Sequence, residues 1–544
     1  MKTLKTICGL FLILFLFVSC RGEIFTKEEL FEGAPYPLTR SWPLSEEIAP
    51  CEDFYEHVCR ETIKTFELPA DRSRHIFSFS DPSENILHAK KRFLKLLSER
   101  KPNNKRRQEL YDYYAACMDE EAAAASEKNY VSHALAESNV DTKEALLEQW
   151  QKNFWTPREA LANAFEAPNQ EDPNKKDLVV ASSLYVLPEK AYYEDAKVVA
   201  AYKKILESFF EAIGEKNPEQ QAGWVLDFEL SVAKAQADIT TRRARYSEKN
   251  DRSRESFLES YPALGLQKLF EKVPEGVNLR DPWHEGLSAA NSLVSKLGKE
   301  ELRAVYLYQN LNWVLDDAYP EHFARSFRFE NEFLGGPQER PDRQERCTKS
   351  VMNAFSKEID AELIDVLFPD FPKEKVVEVA ERVRASLLSG LERNDWLSDS
   401  ARAMAKKKLG SAKLFLVRPD TQRQWDFNPE LDYDPKQPLA NYQKLSQALT
   451  AKMLRELLEP RERDLWGMGP LTVNAFYSPP DNRFVLLQGI LFPPFFDPKA
   501  PVHVNTGAAG MVTGHELGHA VDDKGSKYDD SGALKQWMSE ADLK

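Results

Sequence analysis

Between residues 84 and 415 apolar positions recur every three to four residues, the period of helices with one face turned to a core. The stretch "AKVVAAYKKILESFFEAIGEK" shows it most fully. Val198, Val199, Tyr202, Ile205, Leu206, Phe209, Phe210 and Ile213 share one side, with Lys203, Lys204, Glu207 and Glu211 between them. Similar stretches occupy 84–98, 142–155, 222–236, 300–317, 373–392 and 398–408, with no common repeat length, so a solenoid is not expected. At 417–440 a high density of Pro, Asp and Asn predicts a long connection. A helix near 442–458 follows, then two strand-like runs, "LTVNAFYS" (471–478) and "RFVLLQGILF" (483–492), divided by the turn Pro479-Pro480-Asp481-Asn482. The pattern predicts a mainly α protein, with a large all-helical middle and a mixed α/β end.

The N-terminus has its own pattern. Lys2 and Lys5 precede an unbroken apolar run from Ile7 to Val18, too short to span a bilayer and suited to the core of a signal peptide. The run ends in Phe17-Val18-Ser19-Cys20, which resembles a bacterial lipobox, cleaved ahead of a cysteine that is then lipidated. An ordinary signal peptide and an uncleaved anchor are the alternatives. Several acyl chains on Cys20 would hold the protein at a membrane surface, exported to the periplasm or the cell exterior. Residues 21–45 read as its tether.

Composition narrows the function classes. Hydrophobic residues make up 42% of the 544, enough for sizeable cores, and the length calls for two or more domains. A formal charge of -14 argues against nucleic-acid binding and otherwise describes a solvated surface. Beyond the signal stand Cys51, Cys59, Cys117 and Cys347, which in an exported chain can pair in three ways. Nothing in the sequence sets an oligomeric state.

The chemistry lies in "VTGHELGHAVDD", residues 512–523. Residues four apart on a helix project to the same side, about 5–6 Å between Cβ atoms. His515 and His519 can therefore offer two neutral imidazoles to one Zn²⁺, while Glu516 is placed to act as general base on an activated water. Gly514 and Gly518 each cost the helix roughly 1 kcal/mol relative to Ala, so packing or metal must support it. The other seven histidines, His57, His75, His88, His133, His284, His322 and His503, read as surface or core residues.

"VTGHELGHAVDDKGSKYDDSGAL" resembles the zinc-helix segment of the neprilysin and endothelin-converting-enzyme family of metallopeptidases. "VNAFY" (473–477), "GILFPPFFD" (489–497), "PCEDFYEHVC" (50–59), "YAACMD" (114–119) and "RCTKSV" (346–351) resemble further family segments, in order, over residues 45–544. The resemblance implies a thermolysin-like zinc-peptidase domain at 441–544, roofed by the helical domain at 84–416. It implies that 46–83 packs on the catalytic domain and that 417–440 links the two. The implied substrates are oligopeptides, cleaved at internal bonds. Asn474 would bind the substrate backbone through its side chain and Ala475 through its carbonyl. Asp522 or Asp523 would orient a zinc-bound histidine. Cys117 and Cys347 would pair.

The family's third zinc ligand, a glutamate in a Glu-x-x-x-Asp helix, has no counterpart here. Glu540 stands 21 positions beyond His519, a thermolysin-like spacing, but "WMSEADLK" resembles the helix ahead of the true ligand helix and reads as a solvated face. The expectation is a catalytic domain incomplete at its C-terminus, from a fragment or truncated reading frame. Such a chain would bind zinc weakly through two histidines and be inactive or impaired. A non-catalytic surface lipoprotein that binds peptides is the rival reading.

Overall fold

A computed structural model describes residues 25–544. The signal peptide, Cys20 and the first residues of the expected tether lie outside the described residues. Three hydrophobic cores organise the rest. The first draws on residues 130–329 plus Leu457, and the helix Ala196–Ala212 shows why its periodicity matters. Val198, Tyr202, Leu206, Phe209 and Phe210 are buried there, while Lys204 and Glu211 face solvent. Leu206, Phe209 and Phe210 are sealed completely, each worth about 1.5–3 kcal/mol of transfer free energy.

The second core gathers Phe25, Leu30, the helices Phe77–Arg100 and Lys105–Met118, and the helix Ser356–Leu367. The third joins the helices Lys373–Glu392 and Asp399–Ser411 to a three-stranded sheet and to the helix Ala509–Gly518, which carries the HELGH motif. That sheet has the order β4-β6-β5, where β4 is Lys413–Val417, β5 is Ala475–Ser478 and β6 is Arg483–Leu487. β4 runs parallel to β6 and β5 antiparallel, closed by the predicted turn at 479–482.

Four expectations need correcting. The all-helical region also holds a small sheet, β1 (Asn163–Pro168), β2 (Lys176–Ala181) and β3 (Asn278–Arg280). β2 is buried along nearly its whole length, and a short continuous apolar run does not distinguish a central strand from a buried helix segment. Residues 25–45 are not a free tether, because Phe25 and Leu30 lie in the second core and the Arg40 guanidinium forks onto Asp81 at 2.6 and 2.8 Å. Nor is 417–440 a bare linker. Trp425 and Tyr433 are buried in the second core, so its Pro and Asp shape a packed path rather than a loose one.

The expected domain boundary also moves. The helix Pro438–Glu456, placed by sequence in the catalytic domain, packs on the helices Glu120–Ser138 and Lys105–Met118, whereas 373–417 shares a core with the HELGH helix. In the second core, Cys117 and Cys347 form a disulfide across 230 residues. Beside it, Arg343 donates to the Cys117 carbonyl and to both oxygens of Asp317. Among the described residues no helix is long and apolar enough to cross a membrane.

Candidate metal centre

The HELGH helix survives its glycines because its inner side is packed against a neighbouring helix. A Cβ at Gly510 would stand 3.4 Å from Val383 Cγ2 and 3.5 Å from Val379 Cγ1, so the glycine face lies close against the helix Lys373–Glu392. Ala509, Val512, Leu517 and Ala520 bury the inner side. His515 is left exposed and His519 half-buried at the opposite edge. Their rings meet edge to face at 4.7 Å, and the two Nε2 atoms are 3.2 Å apart.

That separation is what a shared ion requires. Two nitrogens each ~2.0–2.1 Å from a tetrahedral zinc lie about 3.3 Å apart. The donor chemistry fits as well. Asp522 Oδ2 lies 2.7 Å from His519 Nδ1, while its Oδ1 accepts from the Lys524 and Gly525 amides at 2.9 and 2.7 Å. An accepting carboxylate assigns the ring proton to Nδ1 and leaves the Nε2 lone pair for a metal. Asp523, the other candidate, is exposed, and only its carbonyl is engaged, accepting from Ser526 Oγ.

Glu516 is buried beneath the imidazoles, next to the sheet. Burial pushes its carboxyl above the usual carboxylate range, against the opposing pull of both imidazoles and the Tyr477 amide. That amide belongs to β5, so the substrate-strand candidate and the base candidate are tied directly. β5 pairs with β6 on one side only. Asn474 stands exposed just ahead of it, its Oδ1 accepting from the Ala475 amide at 2.9 Å and its carbonyl from the Leu487 amide at 3.3 Å.

Two models of one family match this chain in succession. "Peptidase family M13" describes both, over residues 50–419 for the N-terminal model and 474–544 for the catalytic one. The chain belongs to peptidase family M13. By class it is a metalloendopeptidase, with the mainly α fold of that family. The endothelin-converting enzyme homolog of Locusta migratoria is 24% identical over 90% of this chain and 72% of its own length. Human endothelin-converting enzyme-like 1 is 25% identical over 92% of this chain and 68% of its own. Among solved M13-type structures, the zinc metalloprotease Zmp1 of Mycobacterium tuberculosis superposes with a TM-score of 0.84 at 23% identity, covering 93% of this chain and 78% of that one. PepO of Lactobacillus rhamnosis superposes at 0.79 and 20% identity, covering 91% and 80%.

The structure brings part of the candidate site together. Among the described residues no third His, Cys, Asp or Glu joins the imidazole pair in a cluster able to hold a metal. Glu540 is exposed at the start of the short helix Glu540–Leu543. That helix is instead tied down through Asp542, which accepts from the Ser398 and Ser539 amides. Cys51 and Cys59 are unpaired. The remaining histidines have other work or none. His75 contacts Asp81, His88 the Glu32 carbonyl and His57 the Ile48 carbonyl. His322 is buried beside Ser208, and that burial, with the nearby Arg325 charge, lowers its pKa to about 4; His133, His284 and His503 are exposed. Sequence reasoning missed Lys408, fully buried behind the site. It sits in "AKKKLG", where a run of lysines reads as a solvated face.

Proposed function

We propose that the chain is a zinc-dependent endopeptidase whose metal site is built on His515 and His519, and that oligopeptides are its substrates. The observation that carries this reading is the pair of Nε2 atoms 3.2 Å apart, with Asp522 behind one ring and an edge strand alongside. When bound, zinc supplies Lewis acidity, which makes water a stronger acid and draws electron density from a peptide carbonyl. The protein's own residues do the rest. β5 takes the substrate as an added strand, with the Asn474 side chain and the Ala475 carbonyl fixing its register. The raised affinity of the Glu516 carboxylate for a proton suits it to take one from the attacking water and pass it to the departing amine nitrogen. Asp522 keeps the His519 proton on Nδ1 throughout.

Among the described residues no third donor joins the two imidazoles, and weak zinc binding with slow turnover is the expected behaviour of such a pair. Export belongs to the same reading, with Cys20 as the lipidated residue holding the protein at a membrane. Zinc titration against a chromophoric chelator, with peptide hydrolysis in parallel, tests the centre. Loss of zinc binding in His515→Ala is the expected result, and equal binding by parent and variant refutes the site. Peptide binding without hydrolysis even at saturating zinc would favour the non-catalytic reading, for which the open edge of β5 is the supporting feature. Palmitate labelling that disappears in Cys20→Ala tests the anchor.

A further inference from the structure

Asp522 can orient His519 only if the turn that carries it is itself held, and the turn is held by a residue from another part of the chain. Lys408 projects from the helix Asp399–Ser411, and its Nζ donates to the Gly525 carbonyl at 2.6 Å and the Tyr528 carbonyl at 2.7 Å. The side chain is completely buried. The Gly525 amide is one of the two that clamp Asp522 Oδ1. The turn is also pressed onto the end of the HELGH helix, because a Cβ at Gly525 would come within 2.1 Å of the His519 carbonyl. Contacts therefore run without a gap from Lys408 to the Gly525 peptide, to Asp522, and to His519 Nδ1.

A buried ammonium is expensive unless its partners repay the desolvation, so this one demands an explanation. Here Nζ meets the Gly525 carbonyl, which also accepts from the Tyr528 amide at 3.1 Å, and the Tyr528 carbonyl, which also accepts from Trp537 Nε1 at 2.9 Å. Burial lowers the lysine's pKa to about 7, against the opposing pull of Asp522, Asp529 and Asp530. The carbonyls thus keep a donor within the turn when the ammonium is removed, and what is lost is the tie that holds the turn to the helix Asp399–Ser411. The Lys408 backbone contributes on the other side, since its carbonyl accepts from Asn482 at the β5–β6 turn. One residue thus touches both the support of His519 and the base of the substrate strand.

We propose that Lys408 is a positioning residue for the metal centre, acting through the Asp522 turn to hold His519 in its metal-binding orientation. The proposal rests on the metal-centre reading above. Asp522 stands one step behind the ligand, where loss of a support typically changes metal affinity about 10–100-fold, and Lys408 acts through it. The test is a double-mutant cycle in zinc affinity on the full 544-residue chain, with Lys408→Met, Asp522→Ala, the double variant, and His515→Ala as the floor. Each single change is expected to weaken zinc binding about tenfold, and the double variant to be no weaker than the poorer single. A Lys408→Met affinity within twofold of the parent overturns the proposal. So do penalties that multiply to about 100-fold, since a merely structural lysine would act independently of Asp522. If His515→Ala binds zinc as the parent does, the metal-centre reading and this inference fall together; if only Lys408→Met is silent, the inference alone falls. Should Lys408→Met not fold, Lys408→Gln, whose side chain ends one bond short of the ammonium and so does not reach both carbonyls, carries the same cycle. The ¹⁵N shifts of the metal-free chain give a second reading. In Lys408→Met the His519 ring is expected to lose its fixed Nδ1–H tautomer while His515 is unchanged, and an unchanged His519 overturns the proposal.

Discussion

Two buried glutamates, one in each half of the molecule, mark the difference between a residue enclosed by its own partners and one proposed to react. Glu229, in the first core, is fully buried and fully answered. Tyr193 and Tyr202 donate to its Oε2 at 2.7 and 2.9 Å, Gln309 donates to Oε1 at 2.8 Å, and the Tyr202 and Tyr308 hydroxyls are 2.9 Å apart. The network closes on itself, with no polar atom turned to a ligand. Glu516 is buried less deeply, and its surroundings are the His515 and His519 rings and the amide of an edge strand. Burial alone therefore does not set purpose. What separates the two is whether the neighbours have spent their hydrogen-bonding capacity on one another.

The largest expected effect comes from the closed half. Phe209→Ala empties part of the first core, where the ring packs edge-on to Phe210 and Tyr308, and should cost about 3–5 kcal/mol in urea unfolding. Zinc affinity of the folded variant should be unchanged, because the centre lies in a different core. A matching loss of zinc affinity would show that the two halves are not separable.

Glu229 itself sharpens the contrast. Burial raises its pKa from the ordinary 4.5 to about 7 in the folded protein, outweighing the tyrosine and glutamine donors that pull it down. Between those values the folded state holds a proton that the unfolded state has released. This contribution is whole below the unfolded value and is lost as pH rises through the folded one, a change of up to roughly 3 kcal/mol. Urea unfolding at pH 5 and pH 8 should show the decline, and Glu229→Gln should flatten it. A slope of the same size in Glu229→Gln would assign the pH dependence to other groups.

The open half should respond in function rather than stability. Asp522→Asn is expected to weaken zinc binding about tenfold, or about 1.4 kcal/mol, with a Tm close to the parent's. Its carboxylate is partly exposed, and the network it serves is local to the turn. A fall of many degrees in Tm with unaltered zinc affinity would make Asp522 a purely structural cap. The smallest effect is expected of Asn474→Ala. One side-chain hydrogen bond to a peptide backbone is worth about 1 kcal/mol, so peptide affinity should drop several-fold. Stability and zinc affinity should both hold, since Asn474 is exposed. No change in peptide affinity would remove Asn474 from the substrate site.

Much of the molecule was legible along the chain because its signals are local. Helical periodicity picked out the buried face of Ala196–Ala212 nearly residue by residue, and the Pro-Pro-Asp-Asn turn separated β5 from β6. The four-residue spacing of His515 and His519 put their rings on one side, a consequence of helix geometry that needs no other part of the protein. Family membership followed from ordered segments, each readable by itself. Tertiary structure decided which neighbour supports those signals. It selected Asp522 rather than Asp523, because only Asp522 reaches Nδ1. It turned residues 25–45 and 417–440 from connections into packed segments, built strands into the helical half, and placed a lysine 107 positions before His515 beneath the metal turn. The physical reason is range. Periodicity and spacing are set by bonds within a few residues, whereas a carboxylate's partner, a lysine's burial and a strand's edge depend on chain segments that meet only after folding.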